Sequence, residues 1–135
     1  MGNRLTTEQQ DFVSAVREFA VRECGTREQR DRLTEHGASP HNQDLYTKVA
    51  ELGWLGACFP EEYGGAGGGL TEASLLLEEA SYGMMPLGGF VTTAIAAKAY
   101  EGFGSPEQRR RVVGGAVDGA VAAIAMSEPE AGSDV

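Results

Sequence analysis

Positive charge is scarce in this chain. Its 135 residues carry 11 Lys and Arg against 20 Asp and Glu, a formal net charge of −9. The basic residues are scattered apart from Arg109-Arg110-Arg111, so no basic patch of the kind that binds nucleic acid is visible. An acidic chain can still hold an anionic cofactor when backbone N–H groups supply the contacts. Cysteine is scarcer still. Cys24 and Cys58 make neither a disulfide framework nor a zinc spacing, and read as buried or half-buried thiols of a reducing compartment. No apolar run approaches the roughly 20 residues needed to cross a bilayer. The first residues lack an apolar h-region, so no secretory signal is expected and a cytoplasmic location is the default. "MGNRLT" fits the loose myristoylation pattern at Gly2, but Thr6 and Thr7 have a better use as helix caps. His36 and His41 stand five apart in a polar stretch without carboxylate or thiol partners and read as surface histidines. No Ser-His-Asp or Cys-His arrangement is present.

What the chain does have is helical periodicity, with 41% hydrophobic residues to build a core. "LTTEQQDFVSAVREFAVREC" places Thr6 or Thr7 three residues before Gln9 or Gln10, the spacing of a capping box, and repeats Phe12, Val16, Phe19 and Ala20 at helical steps. Gly25 ends that helix, and "TREQRDRLTEHGASP" reads as a short exposed helix or a loop. Ser39-Pro40 predicts a second helix with Leu45, Val49 and Leu52 inward and Gly53 as its stop. Trp54 and Leu55 then anchor the core. A third helix is expected from about Thr71 to Tyr82, with Leu75, Leu76 and Ala80 inward. A fourth, about Phe90 to Phe103, is so poor in charge that it should be buried on most sides or face an apolar cavity. Ser105, Pro106 and Gln108 restart the pattern. After the Asp118-Gly119 turn, "AVAAIAMS" reads as one strand. A single strand cannot satisfy its own ladder, so the sheet it belongs to must include other strands.

Few segments carry chemistry. "GGAGGG" (Gly64 to Gly69) has no Gly-Lys-Ser/Thr after it and no strand before it, so it reads as a flexible connector rather than a phosphate loop. Thr92 and Thr93 either line a pocket or bond back to their own helix. The terminal loop is the best candidate. Ser127 is a hydroxyl at the end of a strand, and Pro129 biases Glu128 away from helix. Gly132 lets the backbone pass close to a ligand, successive N–H groups can form an anion nest, Ser133 adds a hydroxyl and Asp134 can cap a turn. On composition this equipment suits a polar ring edge and a diphosphate, or a structural turn.

"MSEPEAGSDV" resembles the Ser/Thr-Glu-Pro-x-Ala-Gly-Ser-Asp signature of the acyl-CoA dehydrogenases. "ELGWLGACFPEEYGGAGGG" looks like the family's helix-end and turn. The order of two helices, a Gly-Ser-Pro-Glu-Gln restart and a strand into the signature extends the resemblance over essentially the whole chain. The resemblance implies a mainly α fold. Residues 1–119 would be the N-terminal helical domain, and 120–135 the first strand and flavin-contact loop of a middle β-domain. It implies FAD as cofactor, with Ile124, Met126, Ser127, Gly132 and Ser133 as flavin contacts and Ser133 also touching the acyl-CoA. Thr92, Thr93 and Ala96 would by analogy face the acyl chain. The reaction implied is α,β-desaturation of an acyl-CoA thioester, with electrons passing to FAD and then to an electron-transfer flavoprotein. The catalytic carboxylate is expected outside this chain, and Glu128 and Glu130 read as turn residues. A homo-oligomer of the full-length protein is implied. Alternatives are a catalytically silent truncated relative acting as a partner subunit, an acyl-CoA oxidase or a flavin monooxygenase.

Overall fold

Most helix starts follow local side-chain chemistry. The computed structural model describes residues 4–133; Gly2, with its acylation pattern, and Asp134, read as a turn cap, lie outside them. Helix α1 (Thr7–Cys24) begins where the Thr6 hydroxyl accepts from the Gln9 N–H and the Gln9 side-chain oxygen accepts from the Thr6 N–H. The same reciprocal pair recurs at Thr26 and Gln29 before α2 (Arg27–Leu33). The charged stretch is therefore a short helix, and it has no buried residue.

Helix α3 (Gln43–Glu51) starts later than Ser39-Pro40 predicts. Its cap is Asn42, whose side-chain oxygen accepts from the Leu45 N–H while its amide donates to the Leu33 carbonyl. Residues 40–42 cannot be helical because they run beside 86–88. The Asn42 N–H donates to the Pro86 carbonyl, the Gly88 N–H donates to the Pro40 carbonyl, and His41 pairs antiparallel with Leu87. His41 is consequently half-buried, with its ring edge-on to Tyr46 at 5.0 Å, rather than a free surface histidine.

Helices α4 (Leu70–Tyr82) and α5 (Phe90–Phe103) run where the periodicity puts them. Helix α6 (Pro106–Val117) begins with the Ser105–Gln108 box and Pro106 in the first position. α1 packs on α4, and α5 on α6. Val16 and Phe19 of α1, Leu76 and Ala80 of α4, Leu45 and Val49 of α3, and Val113 of α6 share one core. Each large side chain so buried contributes about 1.5–3 kcal/mol. Trp54 is half-buried at its edge, edge-to-face with Phe12 and Phe19 at 6.0 and 5.4 Å. Two polar links tie α1 to α4. Arg17 donates twice to the buried Glu79 carboxylate, at 2.9 and 2.7 Å, and Gln9 donates to Glu72 at 2.8 Å.

The glycine-rich segment is not a flexible connector. Behind a single 3-10 turn (Glu61–Tyr63), it folds back on residues 56–60 through main-chain bonds. Gly65 donates to the Pro60 carbonyl, Ala66 to Gly56, Gly67 to Phe59 and Gly68 to Ala57, at 2.9–3.1 Å. Backbone lies directly on backbone, and a Cβ at Gly65 would land on the Phe59 carbonyl.

Two further expectations change. α5 buries only Phe90, Thr93 and Ala97, leaving Val91 and Ile95 about half exposed and Phe103 95% exposed. Its low charge therefore marks an apolar face that no described residue covers, not a helix enclosed on most sides. Residues 120–127 form no strand, and the described residues contain none. A strand exists only as part of a ladder, and these residues have no neighbouring strand to pair with.

Candidate functional site

The segment from 120 to 133 leaves the end of α6 and crosses the N-terminal end of α5. The Ala120 N–H donates to the Gly115 carbonyl at 2.8 Å, closing the helix end. Next, Val121 sits against Gly89, where any Cβ would collide with its methyl groups. Ala122 is then held from both sides of its backbone. Its N–H donates to the Thr93 hydroxyl at 2.9 Å, and the same hydroxyl donates to the Ala122 carbonyl at 3.5 Å.

Thr93 itself is 3% exposed. Thr92, one residue earlier, is exposed and bonds back to the Gly89 carbonyl at 3.3 Å. Thr92 thus follows the back-bonding reading, whereas Thr93 follows neither: it is buried and bonds across to Ala122. Behind them, Tyr46 is fully buried, and its hydroxyl has no hydrogen-bond partner among the described residues. Burial pushes its phenol up, opposed by the neighbouring Thr93 hydroxyl. The Gly89 N–H donates to His41 Nδ1 at 3.3 Å, which leaves Nε2 to carry the ring proton toward the Gln43 side-chain oxygen at 3.2 Å.

Beyond Ala122 the segment makes no hydrogen bond to the helices among the described residues. Ile124 is half-buried, whereas Met126 is 63% exposed and Ser127 is exposed. Glu128 and Ala131 then exchange main-chain bonds at 3.1 and 3.3 Å around Pro129-Glu130. This is the turn that the Glu-Pro step predicts, and both glutamates belong to it. Gly132 and Ser133 follow on the surface, with open space where a Gly132 side chain would stand. The structure thus gathers Ser127, Gly132 and Ser133 on one exposed turn, with Ile124 and Met126 on its approach. No Lys or Arg lies between 120 and 133. Any anion received here would be met by hydroxyl and main-chain N–H donors, with Glu128 and Glu130 adding negative charge nearby.

Sequence reading missed the Thr93–Ala122 clasp, which joins residues 29 apart, and the place of His41 at the start of α5. The low charge of α5 was the one signal in the sequence that the exposed face of this helix is apolar. A separate groove of about 640 Å³ lies between the start of α1 and the glycine-rich segment, lined by Gln9, Phe12, Trp54 and Glu72 among others. None of the sequence-derived site residues borders it. The Glu72 carboxyl there is held below its ordinary value by the Gln9 amide and then by the Gly69 N–H. Among the described residues, no cluster of three His, Cys, Asp or Glu has the makings of a metal site. Nor is any described helix long and apolar enough to cross a membrane.

Comparison with known proteins places this geometry in context. Residues 6–120 match the family model described as acyl-CoA dehydrogenase, N-terminal domain. FadE12 of Mycobacterium tuberculosis, an acyl-CoA dehydrogenase, is 39% identical over 106 residues, covering 77% of this chain and 26% of its own length. The solved structure of a variant of the Tcur3481-Tcur3483 steroid ACAD superposes with a TM-score of 0.70 at 32% identity, over 83% of this chain and 30% of that one. A chain from the structure of the electron transferring flavoprotein of Acidaminococcus fermentans gives 0.75 at 31% identity, over 99% of this chain and 35% of that one. The chain thus spans only about a quarter to a third of the length of these three proteins.

Proposed function

The chain belongs to the acyl-CoA dehydrogenase family through its N-terminal domain, and on that premise we propose that it is the N-terminal part of an FAD-dependent enzyme that desaturates an acyl-CoA thioester between Cα and Cβ. Residues 120–135 would open a second, middle domain and carry the flavin loop. One observation bears most of this reading: the family match runs to residue 120, and directly after it the Ser127–Ser133 turn stands exposed and unobstructed.

The residues present fit a flavin dinucleotide. Ser127, exposed just before the turn, can exchange hydrogen bonds with the polar edge of the flavin ring. The backbone of Ile124 and Met126 would run along the ring. Gly132 leaves the main chain open to close approach, and Ser133 adds a hydroxyl for phosphate or for the acyl-CoA. FAD, when bound, supplies the two-electron oxidising capacity, and the protein's part is to hold and tune it. Neutral donors on the turn suit an anion in an acidic chain, because backbone N–H groups need no counter-charge to bind one. We assign no carboxylate of this chain as the base. Glu79 is paired with Arg17, and Glu128 and Glu130 lie on the turn. Thr92 and Ala96 remain as acyl-facing residues of α5, an electron-transfer flavoprotein as the oxidant of the reduced enzyme, and a homo-oligomer as its assembly.

The native gene product, purified with its intact mass determined, tests the reading. Visible flavin absorbance, bleached anaerobically by an acyl-CoA and restored by an electron-transfer flavoprotein, is the expected result. Restoration by O2 alone at a comparable rate would point to an oxidase. An intact product that binds no flavin would overturn the reading in favour of a silent relative.

A further inference from the structure

Adjacent threonines on one helix face different surroundings, and the difference assigns the buried one a task. Thr92 is exposed and satisfied within its own helix. Thr93 is 3% exposed, and its hydroxyl is committed to both main-chain groups of Ala122. One side chain thus takes the place of a neighbouring strand for one residue of a segment that otherwise lacks a ladder. Val121, seated against Gly89, fixes the same segment one residue earlier. Among the described residues, no hydrogen bond links 123–133 back to the helices; the bonds there are internal to the Glu128–Ala131 turn. Among the described residues, Ala122 is accordingly the last polar anchor to the helices before the exposed turn, and Ser127 lies five residues further on.

We propose that Thr93 is a positioning residue for the flavin loop. By gripping Ala122 it sets the register and height at which residues 123–133 leave the helical body, and so where Ser127, Gly132 and Ser133 stand. This rests on the flavin reading above. It also gives Thr93 a different role from contact with an acyl chain, since a residue only 3% exposed has almost no surface to offer one. A threonine suits the task because its hydroxyl donates and accepts at once while its methyl stays in the core. Valine matches the shape and lacks both functions.

The test uses the native gene product as wild type, Thr93→Val and Thr93→Ser. Two quantities are measured: amide hydrogen exchange over residues 119–127 in the flavin-free protein, and the dissociation constant and visible spectrum of FAD. Thr93→Val should speed exchange of the Ala122 amide by about tenfold while leaving α1 and α4 unchanged. It should also weaken FAD by about tenfold, the loss of one net hydrogen bond, and alter the flavin band shape. Thr93→Ser should restore both. Exchange and FAD affinity in Thr93→Val that equal wild type would overturn the positioning role alone. So would a loss that Thr93→Ser fails to repair. A wild-type protein that binds no FAD would instead overturn the flavin reading, and the loop assignment with it.

Discussion

Placing a single methyl group at Gly65 should unseat the glycine-rich segment. Its Cβ would fall on the Phe59 carbonyl, a main-chain atom that cannot turn aside. Relief requires the segment to lift, which breaks the bonds from Gly65 to Pro60, Ala66 to Gly56 and Gly67 to Phe59. At about 1 kcal/mol net for each, the loss is about 3 kcal/mol. The smaller conformational entropy of an unfolded Ala returns about 0.5 kcal/mol, leaving a destabilisation of about 2.5 kcal/mol. Gly102 is the control. It lies inside α5, and a methyl group there meets nothing within 4 Å. Gly102→Ala should therefore stabilise by about 0.5–1 kcal/mol. Urea unfolding followed by the fluorescence of Trp54, the only tryptophan, reads both variants. With a urea slope of about 1–3 kcal/mol/M, the Gly65→Ala midpoint should fall by about 0.8–2.5 M. A Gly65→Ala protein within 0.5 kcal/mol of wild type would refute the backbone-on-backbone account and return this segment to a loose connector.

Two other outcomes follow from buried and hydrogen-bonded groups. The Glu72 carboxyl lies below its ordinary value of 4.5 in the folded chain, through the Gln9 amide first and the Gly69 N–H second. Its contribution is present above about pH 4.5 and is lost as pH falls through that lowered value, so Glu72→Gln should flatten this part of an acid-unfolding profile; an unchanged profile would refute the assignment. Cys24 and Cys58 are 1% and 2% exposed, and burial pushes both thiols up. Neither should react with a thiol reagent near neutral pH in the native chain, and both should react once it is unfolded; rapid native labelling of either would contradict the packing.

The parts that were legible in the sequence are those in which a residue answers its near neighbours. Thr6 with Gln9 and Ser105 with Gln108 lie three residues apart, and the helix starts they predict are the ones observed. The start of α3 was not legible, because Pro40 and His41 are extended by pairing with Gly88 and Leu87, nearly fifty residues away. "GGAGGG" looked loose because composition does not reveal that backbone atoms will fill the space where side chains are missing. "AVAAIAMS" has strand chemistry, but a strand also needs a neighbour, and Ala122 has only the Thr93 hydroxyl. The site divides in the same way. Ser127 through Ser133 stand out as a contiguous motif, whereas Thr93 gains its importance only when α5 and the segment after α6 are brought together.

The Arg17–Glu79 link between α1 and α4 also bears on the order in which the chain assembles. Its partners are 62 residues apart, whereas α5 and α6 are joined through Gly104 and Ser105 alone. The α5–α6 hairpin can form with little loss of loop entropy, while α1 must close a long loop before its contacts exist. On a ribosome adding 5–20 residues per second, Glu79 would follow Arg17 by roughly 3–12 s. Throughout that interval the apolar stripe of Val16, Phe19 and Ala20 has no α4 to cover it. The α1 stripe therefore emerges before the helix that covers it, and until α4 arrives chaperones rather than the chain's own core must shield it.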